Sequence, residues 1–254
     1  MELPAAWQRP DPLRGLGKVP WADLARGRGV DAMLRGAAEG DLTACDALER
    51  RLLDDDTVSE ASAHAAPFLA ELGASYKVPG AVRDRVIFLL AGLALAGAGF
   101  TDGGRRTRRR WNRLRRELPR RSPDWITQTR YAVAKDAPKV FEALGGAEVA
   151  CALALAVAVP EVAPPHVTDV ARGIAFAGTF PPLLVDAATT ALHLLAGGET
   201  DDVWAYVTAQ GHPDVLRAYE NGGFPPNQPP GVTVQLMGYR YARLAAYGEP
   251  GVTP

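Results

Sequence analysis

The stretch "VPGAVRDRVIFLLAGLALAG" (residues 78–97) decides the fold class of this chain. Its Pro-Gly start predicts a turn, and the residues up to Arg85 alternate between charged and apolar at helical spacing. From Val86 onward, apolar residues cover every side of the helix, which is typical of a helix surrounded by other helices. The apolar run 86–100 has 15 residues, and a membrane span needs about 20. The stretch therefore predicts a buried helix in the middle of a helical stack.

The same helical pattern recurs along most of the chain. In residues 42–54 the apolar positions Leu42, Cys45, Leu48, Leu52 and Leu53 follow one side of a helix. Further helices are predicted at 57–75, 124–144, 147–159, 164–178 and 181–198, two short ones at 201–223, and a last short helix or irregular cap after the linker 224–231. Pro67 and Pro138 predict a bend or break, because proline removes a backbone donor and clashes with the preceding turn.

No stretch predicts a strand or a hairpin, so the fold class is all-α. Helices of similar length joined by short Pro/Gly turns favour antiparallel pairs stacked side by side, each pair burying a face against the next. A compact helical bundle is the alternative. We expect one domain over residues 1–254, with 101–123 as a basic arm or loop and 224–254 as a linker and C-terminal cap.

Three stretches carry a resemblance to a known class of protein. They are "ALERRLLDDDTVSEASAHAAPFLAELGAS" (47–75), "VRDRVIFLLAGLA" (82–94) and "RYAVAKDAPKVFEALGGAEVACALALAVAV" (130–159). The chain resembles bacterial HEAT-like repeat proteins over roughly residues 40–200. The resemblance implies a HEAT-like or armadillo-type α-solenoid whose concave face binds another molecule. Some members of this class are scaffolds or immunity proteins against toxins, and others, the alkylpurine DNA glycosylases, bind duplex DNA.

The charge of the chain is concentrated in one place. The segment 105–121, called the arginine segment below, contains ten arginines and Glu117, a charge of +9. Since the whole chain carries −1, the remaining residues carry −10. An acidic body with one basic segment favours an acidic protein partner, with nucleic acid as a further possibility. A solvated loop held open by its own charge repulsion is the alternative without a specific role.

Arginine and tryptophan are the residue types that most often dominate protein interfaces, and arginine pairs its planar fork with carboxylates or phosphates. The arginine segment also holds Trp111, and Trp125 follows it; either ring could stack on a base. The predicted contact residues are Arg105, Arg106, Arg109, Arg110, Trp111, Arg113, Arg116, Trp125 and Arg130.

Two groups of residues are candidates for chemistry. His166 and Asp169 share one helix face, and Asp186 and His193 share a polar stripe of the next helix. If these faces meet, the group could act as a general acid and base or hold a divalent metal, although capping and solvated polar faces explain the same spacing. A DNA base-excision site would need an aspartate among aromatic residues in a basic cleft, and Asp136 near Trp125, Tyr131 and Arg130 is the candidate.

The other motifs predict no cofactor and no metal centre. Cys45 and Cys151 lie in apolar helical context without metal-ligand spacing, and "GRGVDAMLRG" (27–36) lacks the lysine of a phosphate-binding loop. The N-terminal "MELPAAWQRPDPLRG" has no signal-peptide pattern, so we expect a cytoplasmic protein with no membrane contact. The sequence predicts a non-catalytic binding protein with an immunity or accessory role. The alternatives are a DNA glycosylase-type enzyme and a small-molecule enzyme that uses the His/Asp group.

Overall fold

The computed structural model describes residues 11–53, 57–96, 125–145, 148–196 and 230–248. These residues form α-helices, two 3-10 turns (Leu16–Lys18 and Pro160–Val162) and connecting loops, with no β-strand among them. The α-helices are α1 (Val30–Ala38), α2 (Leu42–Leu52), α3 (Glu60–Gly73), α4 (Gly80–Leu95), α5 (Trp125–Ala143), α6 (Val149–Ala158), α7 (Pro165–Ala177), α8 (Pro182–Leu195) and α9 (Pro230–Tyr247). The all-α prediction is confirmed.

The two helices with apolar residues on every side, α4 and α6, lie at the centre. Every residue of α4 from Val86 to Leu95 is buried, and so is every residue of α6 from Cys151 to Ala158. They pack against each other, with α3 and α5 on one side and α8 and α9 on the other. This placement stabilises the fold because apolar side chains on every side of the helix are removed from water. The burial predicted for the apolar part of the stretch 78–97 is confirmed for residues 86–95.

Contacts between the helices connect elements that are two apart in the chain. One row joins α1 to α3 and α3 to α5, and a second row joins α2 to α4, α4 to α6 and α6 to α8. Within the pairs, α1 packs on α2, α3 on α4 and α7 on α8. One continuous hydrophobic core, with members from Leu16 to Ala242, runs through both rows.

The C-terminal helix α9 covers the second row. It has 18 residues, so it is longer than the short helix or cap expected from the sequence, and it begins inside the predicted linker at Pro230. It packs mainly on α6 and α8 and also reaches α4. Gly238 makes the close approach possible, since a Cβ there would lie 2.8 Å from Thr190 Cγ2 and 2.9 Å from Val157 Cγ1.

We expect Gly238→Ala to lower the free energy of unfolding by about 1–3 kcal/mol, because a methyl group at that distance forces α6, α8 or α9 to shift. The matched control is Gly173→Ala on α7, where a Cβ would meet nothing within 4 Å. That control should stabilise the protein by up to about 1 kcal/mol through helix propensity. Urea unfolding of both variants measures the difference; an equal effect of the two substitutions would contradict the close packing of α9.

Several local predictions are corrected by the structure. Pro67 and Pro138 lie inside α3 and α5, and each helix continues past its proline, so the break predicted as one alternative at Pro138 does not occur; a bend at either proline stays a prediction. Leu42 opens α2 and is 44% exposed, so it does not belong to the buried side predicted for this helix. Helix α1 was not predicted; Gly29, with φ +82°, precedes it in a left-handed conformation that a glycine adopts without strain.

Some predictions fall outside the described residues. These are the two helices at 201–223, most of the linker 224–231, the first residue of the helix predicted at 124–144 and the whole arginine segment. Among the described residues, no helix combines the length and apolar character that crossing a bilayer requires.

Candidate functional site

The described residues on either side of the arginine segment belong to the end of α4 and the start of α5. Residue 96 is the last one described before it and Trp125 the first one after it. The Arg130 Nη1 atom in α5 donates to the backbone oxygen of Ala94 at the end of α4, at 3.4 Å. The two flanks of residues 97–124 are therefore joined by a hydrogen bond. Of the predicted contact residues, Arg105, Arg106, Arg109, Arg110, Trp111, Arg113 and Arg116 lie outside the described residues.

The guanidinium of Arg130 joins the ends of two buried helices. Besides Ala94 O, its Nη1 donates to Ala158 O at 2.7 Å, and its Nη2 donates to both carboxylate oxygens of Glu161, at 2.9 and 3.1 Å. Carbonyl groups in the last turn of a helix lack intrahelical partners, so a cation there satisfies them. Arg130 thus has a structural role, and its predicted part in partner binding stays a prediction.

The residues suggested for base excision lie on different sides of α5. Tyr131 is 70% exposed, whereas Asp136 is 6% exposed and forms an ion pair with Lys139 at 2.8 Å. Five positions along a helix turn a side chain by about 140°, so these two cannot share a face. Trp125, at the first position of α5, is half-buried. The structure brings Trp125 and Arg130 to the end next to the arginine segment, and it places Asp136 inside the α3–α5 contact.

Lys139 bridges two carboxylates across the α3–α5 contact. Its Nζ atom lies 2.8 Å from Asp136 Oδ1 and 2.7 Å from Glu71 Oε1. Burial alone would lower the pKa of Lys139, but the hydrogen bonds and charges of Asp136 and Glu71 outweigh it and raise this pKa. Lys139 is therefore a charged structural group and a poor nucleophile, because nucleophilic attack needs a neutral amine.

The four residues of the predicted His/Asp group lie on two helices, α7 and α8. His166 and Asp169 lie on the exposed side of α7, where Asp169 pairs with Arg172 at 3.0 Å. Asp186 and His193 are half-buried on α8, and the backbone oxygen of Asp186 accepts from the Thr190 hydroxyl at 2.7 Å. Within the described part of the chain, no three His, Cys, Asp or Glu side chains come together as metal ligands.

At the opposite end of α4, Arg83 joins four elements. Its Nε donates to Gly73 O of α3 at 3.1 Å, and its Nη2 to Ala143 O of α5 at 3.2 Å. Its Nη1 lies 2.9 Å from Glu148 Oε1, just before α6, and both side chains are 13% exposed. Glu148 in turn accepts from the Gly145 N–H at 3.0 Å. Arg83 therefore caps two helix ends, as Arg130 does at the other end of the stack.

Both cysteines are buried and free. Burial, and then the charge of Asp46, raises the pKa of Cys45 to about 11. Burial also raises the pKa of Cys151, whose thiol donates to Asp84 Oδ1 at 3.3 Å. A thiol is nucleophilic as the thiolate, so raised pKa values make both groups unreactive near neutral pH.

Helix α9 is fixed in register by Tyr239. Its hydroxyl donates to Phe88 O of α4 at 3.1 Å, and its ring meets the Phe88 ring edge-on with centroids 5.9 Å apart. Gly92 leaves room for this hydroxyl, since a Cβ there would lie 3.3 Å from it. Arg243 donates to the same hydroxyl at 3.3 Å and pairs with Glu49 of α2 at 2.9 Å. Burial raises the pKa of Tyr239, so the phenol stays neutral and keeps its donor.

One exposed apolar surface was missed by the sequence reasoning. The α7 outer face consists of Asp169, Val170, Arg172, Gly173 and Phe176. Phe176 is 80% exposed and Val170 is 41% exposed; Phe180, in the turn that follows, is also 41% exposed. The signal was present, because Phe176 is three to four residues from Arg172 and Gly173 and so shares their side of the helix. A large exposed aromatic side chain is typical of an interaction surface.

No protein-family model, no curated protein and no solved structure matches this chain.

Proposed function

We propose that this chain is a non-catalytic, HEAT-like binding protein that docks an acidic protein partner through the arginine segment. An immunity or accessory role toward that partner is the concrete form of the proposal. The observation that carries it is the hydrogen bond between Arg130 and Ala94, which joins the two flanks of residues 97–124.

This hydrogen bond concerns the two points at which the basic segment is attached to the described structure. The arginine segment is connected to these two flanks through residues 97–104 and 122–124, so its +9 charge is attached to the chain between the end of α4 and the start of α5. The remaining −10 is carried by the other residues. A molecule polarised in this way attracts an acidic surface, orients it on approach and repels basic competitors.

The partly buried cations of the described residues support a non-catalytic role. Arg83 and Arg130 donate to the ends of helices, Lys139 bridges two carboxylates, and Arg243 bonds Tyr239 and Glu49. Each of these cations bonds to other parts of the chain and stabilises contacts between helices. In an enzyme, by contrast, charged groups of the active site point toward the substrate.

The test compares the wild type with two variants in which all ten arginines of residues 105–121 become glutamine or lysine. Each tagged protein is incubated with nuclease-treated lysate of its source cells, and the retained proteins are quantified. We expect the wild type to retain one acidic protein, the glutamine variant to lose it, and the lysine variant to retain part of it. Lysine keeps the charge but lacks the bidentate fork. Equal retention by all three proteins would contradict the proposal.

A DNA-binding function is the second candidate, because Tyr131 is 70% exposed on α5, less than two turns from the flank of the arginine segment. An exposed ring beside basic charge could stack on a base. In a salt titration, this function requires a slope of log K against log[salt] of about −5 with duplex DNA or about −4 with single-stranded DNA, if six phosphates are contacted. Removal of residues 105–121 should then abolish the slope. Base excision at Asp136 is not supported, since this aspartate is buried in its pair with Lys139.

A further inference from the structure

We propose that the α7 outer face binds the same face of a second copy of this chain, with the two helices antiparallel about a twofold axis between Val170 and Ala171. This inference does not depend on the arginine segment or on the proposed function. It rests on the exposure, the charge order and the spacing of the side chains on α7.

The charges of this face are complementary to themselves. Asp169 and Arg172 are 73% and 60% exposed, and their ion pair within the helix spans one turn at 3.0 Å. In an antiparallel pair centred between positions 170 and 171, residue 169 of one copy faces residue 172 of the other, in both directions. Two intermolecular ion pairs can therefore replace two intramolecular ones, and an exposed pair costs little to exchange. A twofold interface uses the same patch on both copies, as this arrangement requires.

The apolar residues fit the same register. Phe176, which is 80% exposed, would lie against Pro165 and His166 of the second copy, at the start of its α7. Val170, 41% exposed, is about 100° around the helix from Asp169 and would lie at the border of the contact. At Gly173 a Cβ would meet nothing within 4 Å, so the helix backbone there is open to a neighbour. Burying a phenylalanine removes more apolar area from water than any other residue on this face could.

The length of α7 sets the expected affinity of the dimer. Helix α7 has 13 residues, about 20 Å of contact length. That length is too short to bury the roughly 800 Å² per partner of a standard-size interface. We therefore expect a dimer with a dissociation constant of about 1–100 μM.

The test is sedimentation velocity of the full chain at concentrations of about 1–300 μM, which brackets the expected constant. The wild type should shift from monomer to dimer across this range. Phe176→Glu should weaken the dimer at least about tenfold, since it buries a charge without a partner. Tyr131→Glu, at an aromatic residue on α5 that is 70% exposed, is the matched control and should leave the dimer unchanged.

Charge reversal tests the register. The variant D169R has two positive charges on the face and R172D has two negative ones, so each should be monomeric alone over the same range. Mixed in equal amounts, they should form a heterodimer, because both arginines of one variant then face both aspartates of the other. A monomeric wild type at the highest concentration would overturn the proposal and point to another protein or to residues 197–229 as the cover of this face. A wild-type dimer without recovery on mixing would overturn it equally.

Discussion

Replacing Tyr239 by alanine should lower the free energy of unfolding by about 3–5 kcal/mol, the usual cost of removing a fully buried aromatic side chain. The ring is 1% exposed and packs against Phe88. Its hydroxyl also links α9 to α4 and, through Arg243, to Glu49 of α2. The substitution therefore leaves a cavity between the central helix and the helix that covers it, and it removes the partner of a buried carbonyl.

Two control variants separate these contributions. Tyr239→Phe keeps the ring and should cost about 1 kcal/mol, since it removes only the bonds to Phe88 O and Arg243. Tyr131→Ala removes a ring that is 70% exposed and should change stability by less than about 0.5 kcal/mol. Urea unfolding followed by circular dichroism measures all three variants. If Tyr239→Ala cost no more than Tyr131→Ala, α9 would not be part of the cooperative core.

Replacing Arg83 by alanine should cost about 3 kcal/mol, at the lower end of the range for breaking a buried ion pair because both partners keep 13% exposure. The change leaves Glu148 with a charge and no cation. It also removes the donor that Gly73 O and Ala143 O receive at the ends of α3 and α5. The guanidinium is thus a shared cap for two helices as well as one half of an ion pair.

The double variant Arg83→Met/Glu148→Met distinguishes the two roles. If the uncompensated charge of Glu148 dominates, the double variant should recover part of the loss seen with Arg83→Ala. Arg172→Ala breaks a pair of similar length whose side chains are 60% and 73% exposed, and should cost less than about 0.5 kcal/mol. Equal losses from Arg83→Ala and Arg172→Ala, measured by urea unfolding, would contradict the capping role.

Composition and spacing predicted two features of the candidate site: where the charge is concentrated in the sequence and which residues share a helix face. The concentration of charge in residues 105–121 is a property of the sequence alone. The hydrogen-bond partners of Arg130 could not be predicted from the sequence. Ala158 and Glu161 are 28 and 31 residues away and contact Arg130 only after α4, α5 and α6 have packed. Spacing within each helix correctly placed His166 with Asp169 and Asp186 with His193, but it could not tell that the α7 pair points away from the stack.

What the sequence by itself determined is the class of fold and the position of the central helices. Apolar burial has no direction, so a helix that is apolar on every side, such as 86–95 in α4 or 151–158 in α6, must be surrounded whatever its neighbours are. The tertiary structure alone decided where the charged and polar side chains go. Hydrogen bonds have a required distance and angle, so Arg83 acquired its role only when packing brought the ends of α3 and α5, 10 and 60 residues away, to within 3.2 Å of one guanidinium.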